Sequence, residues 1–203
     1  MIKNIILDIG DVLVKSNYHD FFIGKGYDEQ QAQRLAKATF YTPAWKELDR
    51  GKWDFQRIVK EFVKNDPEME PALTTVFDDM SKFIVVYPYA EEWIRSLKDR
   101  GLKVYCLSNI SDKICRDCAE ELEFLRYADG RVFSYEERLI KPNPEIYRRL
   151  LDKFGLIAEE SVFIDDIEQN VTAAKALGLQ GITFLSHEQA DNEIEKLRRS
   201  ENE

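Results

Sequence analysis

Three apolar runs in this chain each stop at a polar group able to do chemistry. Ile5-Ile6-Leu7 stops at Asp8, Val104-Tyr105-Cys106-Leu107 at Ser108-Asn109, and Val162-Phe163-Ile164 at Asp165-Asp166. Lys141 stands between the last two, in Leu139-Ile140-Lys141-Pro142-Asn143-Pro144. A carboxylate is costly to bury without partners, so a run that halts at Asp marks the end of a buried strand. If these runs are neighbouring parallel strands, Asp8, Asp165 and Asp166 gather at one sheet edge. Three carboxylates packed together repel one another strongly unless a cation joins them. A divalent ion with oxygen ligands answers that need, and magnesium suits a few carboxylates plus waters and a phosphate. The Ser108 hydroxyl, the Asn109 amide and the Lys141 ammonium complete a pocket of phosphate size.

Each residue alone has a plainer account. Asp8 could end a strand before a turn, with Gly10 permitting a tight turn or a close backbone approach. Ser108-Asn109 could cap the next helix. Lys141 could be a solvated loop lysine, and Asp165-Asp166 could open a helix favoured by its dipole. Their order and their shared place at the ends of apolar runs make them one site.

The elements that must position them follow two rhythms. Residues 15 to 85 contain no convincing strand and read as helices. Asp28 to Phe40 is polar and helix-forming, Thr42-Pro43 starts a segment that Gly51 ends, and Phe55, Ile58, Val59, Phe62 and Val63 share one helical face. Asp66-Pro67 starts a further helix carrying Leu73, Val76, Phe77 and Met80. From Pro88 helix and strand alternate. Helices are expected over 91–100, 111–124, 144–154 and 169–177, with a last one capped by Ser186 and running into the charged tail. Strands are expected over 102–107, 131–133, 162–164 and 182–185. Alternation of this kind implies an α/β fold with a doubly wound parallel sheet. The expected division is a core of residues 1–14 and 86–203 and a helical insertion of residues 15–85.

The chain has 203 residues, 44% of them apolar, and a formal net charge of -9. That size supports one core plus an insertion, and the acidic balance argues against a general nucleic-acid binder. No apolar run reaches membrane-spanning length, and Asp8 interrupts the N-terminal run too early for a signal peptide. The expectation is a cytoplasmic protein with no membrane partner. Cys106, Cys115 and Cys118 form no disulfide framework, and the single CxxC spacing of Cys115 and Cys118 reads as two thiols on a helix.

In order, spacing and strand context this set resembles the four motifs of the haloacid dehalogenase superfamily, most of whose members are phosphohydrolases. The resemblance covers almost the whole chain and implies a Rossmann-like core with a helical cap in the position used by the C1 group. It implies that Asp8 is the nucleophile, that Ser108 and Lys141 form the second and third motifs, and that Asp165-Asp166 is the acidic pair of the fourth, with Asn170 also in pattern. Magnesium would be held by Asp8, the Gly10 carbonyl and the Asp165-Asp166 pair. Phosphate would be met by Ser108, Asn109 and Lys141. Ile9-Gly10-Asp11-Val12, Leu107-Ser108-Asn109 and Lys141-Pro142 look most like the α-D-glucose-1-phosphate phosphatases. The implied activity is magnesium-dependent hydrolysis of a small phosphate ester, such as a hexose-1-phosphate, through an aspartyl-phosphate.

One position departs from the family. A second Asp usually follows the nucleophile by two residues and serves as general acid and base; here it is Gly10, a glycine that the glucose-1-phosphatase-like branch shares. A catalytically weak or inactive binding protein is therefore the alternative. A metal-free dehalogenase fits less well with an intact Asp165-Asp166 pair. Tyr18, His19, Trp45 and Trp53 in the insertion are aromatic candidates for sugar contact, although such residues more often pack in a core.

Overall fold

The first apolar run forms the middle of a sheet. The computed structural model describes residues 1–200. β1 (Asn4–Leu7) is buried along its whole length. β2 (Val14–Ser16) follows after a tight turn, and then five helices: α1 (Tyr18–Gly24), α2 (Glu29–Ala38), α3 (Pro43–Asp49), α4 (Phe55–Asn65) and α5 (Glu70–Thr75). β3 (Ile84–Val86) closes that excursion. The remainder runs α6 (Ala90–Asp99), β4 (Lys103–Ser108), α7 (Asp112–Asp117), β5 (Gly130–Phe133), α8 (Ser134–Glu137), α9 (Pro144–Phe154), β6 (Ser161–Asp165), α10 (Glu168–Lys175), β7 (Gln180–Thr183) and α11 (His187–Ser200).

The five strands of the main sheet lie in the order β5-β4-β1-β6-β7, every pair parallel. Successive residues alternate between two cores. Ile5, Leu7, Val104, Cys106, Val162 and Ile164 face one side, together with Trp93, Ile94 and Leu97 of α6 and Ile194 of α11. Ile6, Tyr105, Leu107 and Phe163 face the other, against Ile146, Tyr147 and Leu150 of α9 and Ala174 of α10. Helices thus cover both faces, as parallel strands buried on two sides require. From β1 the chain builds outward through β4 and β5, then returns to build β6 and β7 on the other side. The order therefore reverses beside β1, and open α/β sheets bind ligands in the crevice at that point.

The excursion between β2 and β3 departs from expectation at both margins. Val14, Lys15 and Ser16 pair antiparallel with Val86, Val85 and Ile84, so a two-stranded ribbon frames the helices where no strand was expected between 15 and 85. Three residues are too few to show a period of two, and Val85 is 48% exposed, which hides the pattern further. The helices pack on an aromatic cluster of Phe21, Phe22, Phe40, Trp45, Phe62, Phe77 and Phe83. Of the α4 face, Ile58 and Phe62 are buried, while Phe55, Val59 and Val63 are half-buried. Asp28 caps α2 in a reciprocal box with Gln31.

Elsewhere the differences are local. The single helix expected over 111–124 is the short α7, followed by a 3₁₀ turn at Glu123–Tyr127. Asp117, Glu120, Glu121 and Glu123 crowd what would be its C-terminal half, where the helix dipole disfavours negative charge. Strand β7 begins two residues earlier than expected and takes in Gly181, where an added Cβ would stand 2.7 Å from a Val171 methyl on α10. The glycine is what lets helix and strand approach. The expected tail at 201–203 lies outside the described residues.

Candidate active site

Asp8 sits one residue beyond β1, and the sheet register fixes its neighbours. Leu7 pairs with Cys106 on one side and with Ile164 on the other. The Asp8 amide continues the ladder by donating to the Ile164 carbonyl at 2.8 Å. Asp8 and Asp165 are therefore side by side. Asp165 follows Phe163 on the same face of β6, and the Lys141 ammonium lies 5.5 Å from the Phe163 ring centre.

Lys141 joins the two carboxylates. Its Nζ lies 2.7 Å from Asp8 Oδ1 and 2.7 Å from Asp165 Oδ2, and donates to the Leu107 carbonyl at 3.0 Å. The loop carrying it is held by Asn109, whose Oδ1 accepts from the Lys141 amide at 2.8 Å and whose Nδ2 donates to the Lys141 carbonyl at 3.1 Å. Asp165 is saturated. It accepts from the Ile167 amide at 2.8 Å and from Asn170 Nδ2 at 2.9 and 3.0 Å, besides Lys141. Asp8 Oδ1 also accepts its neighbour's amide, from Ile9, at 2.7 Å. Its second oxygen, Oδ2, takes no hydrogen bond among the described residues.

Asp8, Asp165 and Asp166 each bring an oxygen within 4.8 Å of the others. Burial pushes the Asp8 carboxyl up to about 7, opposed by Lys141 and reinforced by Asp165. Burial, then repulsion from Asp165 and Asp11, raises Asp166 to about 6. Burial alone would lower the Lys141 ammonium, but Asp8 and Asp165 outweigh it and hold Lys141 above its ordinary value. Three carboxylates against one ammonium leave an excess of negative charge that a small divalent cation fits. Asp165 has no lone pair to spare, whereas Asp166 is partly exposed and accepts no side-chain hydrogen bond among the described residues. Asp8 and Asp166 are the carboxylates open to an ion.

The turn after β1 corrects one expectation. Gly10 has no positive φ, and an added Cβ there would meet nothing within 4 Å. The strained position is Asp11, at φ 53, a conformation that Asp tolerates better than most residues. Asp11 is exposed, with Oδ1 3.5 Å from the Ser16 amide. Backbone geometry therefore does not require glycine at position 10.

Gly10, Ser108 and Asn109 line a cavity of about 200 Å³ whose opposite wall is formed by Tyr18, Trp45 and Asp49 from the helical excursion. Ser108 is buried, and its hydroxyl has no protein partner among the described residues. Of the aromatic candidates, Tyr18 and Trp45 reach this cavity. His19 instead bonds Asp20 and Glu29 on the exposed surface. Trp53 stacks under Arg57 at 3.9 Å, beside a different cavity. Cys106, Cys115 and Cys118 are free thiols, and Cys118 donates to the Met80 carbonyl. Asp49 escaped the sequence reading; it is one acid among charged residues at a helix end.

A family model for haloacid dehalogenase-like hydrolases matches residues 2–178. The chain belongs to that family. Its relatives include a sesquiterpene phosphatase of Aspergillus oryzae, 34% identical over 44% of this chain and 45% of the relative. A phosphorylated carbohydrates phosphatase of Thermotoga maritima is 25% identical over 53% and 50%. A phosphoglycolate phosphatase of Pseudomonas fluorescens is 26% identical over 59% and 45%. The chain thus matches about half the length of these relatives. Among solved structures, a predicted hydrolase of this family from Porphyromonas gingivalis superposes with a TM-score of 0.70 at 19% identity, covering 98% of both chains. A family member from Bacteroides thetaiotaomicron, solved with magnesium and inorganic phosphate, gives 0.65 at 21% identity over 92% and 96%. These neighbours share the α/β fold. Among the described residues no helix is long and apolar enough to cross a membrane.

Proposed function

We propose that this hydrolase is a magnesium-dependent phosphatase of a small phosphorylated metabolite, a sugar phosphate such as a hexose-1-phosphate. The observation that carries the reading is the state of Asp8: one oxygen is fixed by Lys141 and the Ile9 amide, and the other is free. A carboxylate so oriented suits nucleophilic attack on phosphorus. Lys141 orients Asp8 and offers positive charge to phosphate oxygens, Ser108 donates its free hydroxyl, and Asn109 holds the lysine loop. Asp8, Asp166 and the Gly10 carbonyl would hold the ion, with Asp165 acting through Lys141. When bound, magnesium supplies neutralisation of the charge that develops on the phosphoryl group. The phosphorylated carbohydrates phosphatase among the relatives supports the substrate class. So does the cavity, which is smaller than the ~300–1,000 Å³ of drug-sized sites and carries aromatic walls. Residues 15–85 would act as the cap over the 1–14 and 86–203 core, choosing the substrate. Three unpaired thiols agree with a cytoplasmic setting.

Gly10 favours a second reading, a binding protein with weak or no turnover. A phosphate-release screen over sugar phosphates, with and without magnesium, separates them. Metal-dependent release is expected; binding without release would sink the phosphatase, and metal-free halide release from haloacids would point to a dehalogenase.

A further inference from the structure

If Asp8 takes the phosphoryl group, the departing oxygen needs a proton, and with Asp166 assigned to the ion no other group among the described residues of the sheet edge is free to give one. Lys141 is held charged between Asp8 and Asp165. Asp165 spends its oxygens on Lys141, Ile167 and Asn170. Position 10 has no side chain, and Asp11 is exposed, away from the cavity-lining set. Resting on the phosphatase reading above, we propose that Asp49, on the opposite wall of the cavity, is the general acid of the first step and the general base of the second.

Three observations support it. First, among the described residues Asp49 is the only charged one lining the cavity, which it shares with Gly10, Ser108 and Asn109. Second, its carboxylate meets no cation and accepts no hydrogen bond among the described residues; its neighbour Arg50 pairs with Glu47 instead. Asp49 keeps some accessible surface because it faces the cavity, but protein shields it from bulk water, and that burial alone raises its carboxyl well above the ordinary value of 3.8. As the last residue of α3 it also lies at the end where the helix dipole disfavours a negative charge. An unpartnered acid in so unfavourable a place, inside a cleft, is a mark of function. Third, its position is fixed to the sheet edge. Ser134 Oγ donates to the Asp49 carbonyl at 2.6 Å and accepts from the Ile110 amide at 2.9 Å, two residues beyond Ser108. Gly51, at φ +67, lets this end of α3 touch the Tyr135 backbone, which an added Cβ would approach to 2.9 Å.

The proton balance closes. As Asp8 Oδ2 bonds to phosphorus, the bond from phosphorus to the leaving oxygen breaks, and that oxygen takes the Asp49 proton to depart as an alcohol. Asp49, now a carboxylate, takes a proton from water as the water oxygen bonds to phosphorus. The acyl-phosphate bond breaks, Asp8 returns as carboxylate, inorganic phosphate leaves, and Asp49 is again protonated. The uncharged groups around it, Ser16, Tyr18, Ser108 and Asn109, leave the carboxyl to titrate under burial alone.

The test compares an aryl phosphate, whose phenolate departs unaided, with an alkyl phosphate, in magnesium, for wild type, Asp49→Asn and Asp49→Ala. Both variants are expected to lose ~10²-fold or more in kcat on the alkyl ester and much less on the aryl ester, since that is the typical range of general acid catalysis. The alkaline limb of the alkyl kcat/KM profile should go with the acid. Equal losses on both esters, or none, would overturn the assignment and leave the phosphatase standing. A wild type that releases phosphate from neither ester would overturn both. Melting temperature gives a readout independent of turnover. A carboxyl raised on folding penalises the native state only above its unfolded value near 3.8, and increasingly so as pH approaches the folded value. Asp49→Asn should therefore melt above wild type by a margin that widens as pH rises. A margin that is absent or constant would mean that the carboxylate is solvated, and the assignment would fail.

Discussion

The sheet edge and the helical excursion treat their acids in opposite ways. At the sheet edge Asp165 is fully buried and every oxygen is bonded, to Lys141, the Ile167 amide and Asn170. In the excursion Asp49 lines the cavity, shielded from bulk water, with no bond to its carboxylate among the described residues. A saturated acid serves to position others. An unsaturated one, raised by burial, keeps its proton to a higher pH than an ordinary carboxyl, which a proton donor needs. The contrast separates a scaffold built for phosphoryl charge from a wall built for the leaving group.

The largest test of that division is Asp8→Asn. Loss of a covalent nucleophile should lower phosphate release by ~10³-fold or more, with melting close to wild type because the amide keeps the shape. Retention of more than a few per cent of activity would make the aspartyl-phosphate route wrong and leave the sheet edge as a binding site only.

Lys141→Met probes the scaffold itself. It leaves Asp8 and Asp165 buried together without their shared cation, and removing one partner of a buried ion pair typically costs about 3–5 kcal/mol. Denaturant unfolding at neutral pH should show a loss of that order alongside lost activity. A loss below about 1 kcal/mol, the range of surface pairs, would mean that water reaches the cluster and that it is no scaffold. Asp166→Ala should do the reverse. This half-exposed acid contributes little to folding, but its removal should abolish the rise in melting temperature that magnesium gives, since binding to the native state raises apparent stability. An unchanged magnesium shift would remove Asp166 from the ion site.

How much of this could be read in the sequence differs between the walls for the same reason. The sheet edge is built by strands, and a buried strand announces its end when an apolar run meets Asp or Ser. Asp8, Ser108 and Asp165 were legible on that ground, and the parallel register then places them together. Of the excursion's helices, α2, α3 and α4 were legible from Asp28, Thr42-Pro43 and the α4 face, whereas α1 was not singled out. The ribbon was not, because three residues carry no period. Asp49 was not, because Lys46, Glu47, Asp49 and Arg50 look like the solvated end of any helix. Its burial comes from tertiary packing, which brings Tyr18, Trp45 and Ser108 around the same cavity.

The smallest expected effect sharpens the comparison most. Position 10 is glycine without needing to be, since its φ is ordinary and a Cβ there meets nothing within 4 Å. A carboxyl can therefore be added to the sheet-edge wall. If Asp49 already supplies the proton, Gly10→Asp gives wild type a second donor for work already done, so any gain on an alkyl phosphate should be slight. In an Asp49→Asn background the same change restores the only donor, and recovery of about tenfold is a fair share of the ~10²–10⁴-fold that general acid catalysis is worth. The measurement is kcat on one alkyl and one aryl phosphate for the four proteins of the cycle, with coupling read as the departure from additivity. Gain on the alkyl ester in both backgrounds alike would mean that the two positions act independently and that Asp49 is not the donor. Recovery confined to the Asp49→Asn background, and to the alkyl ester, would show that the two walls are interchangeable sources of a single proton.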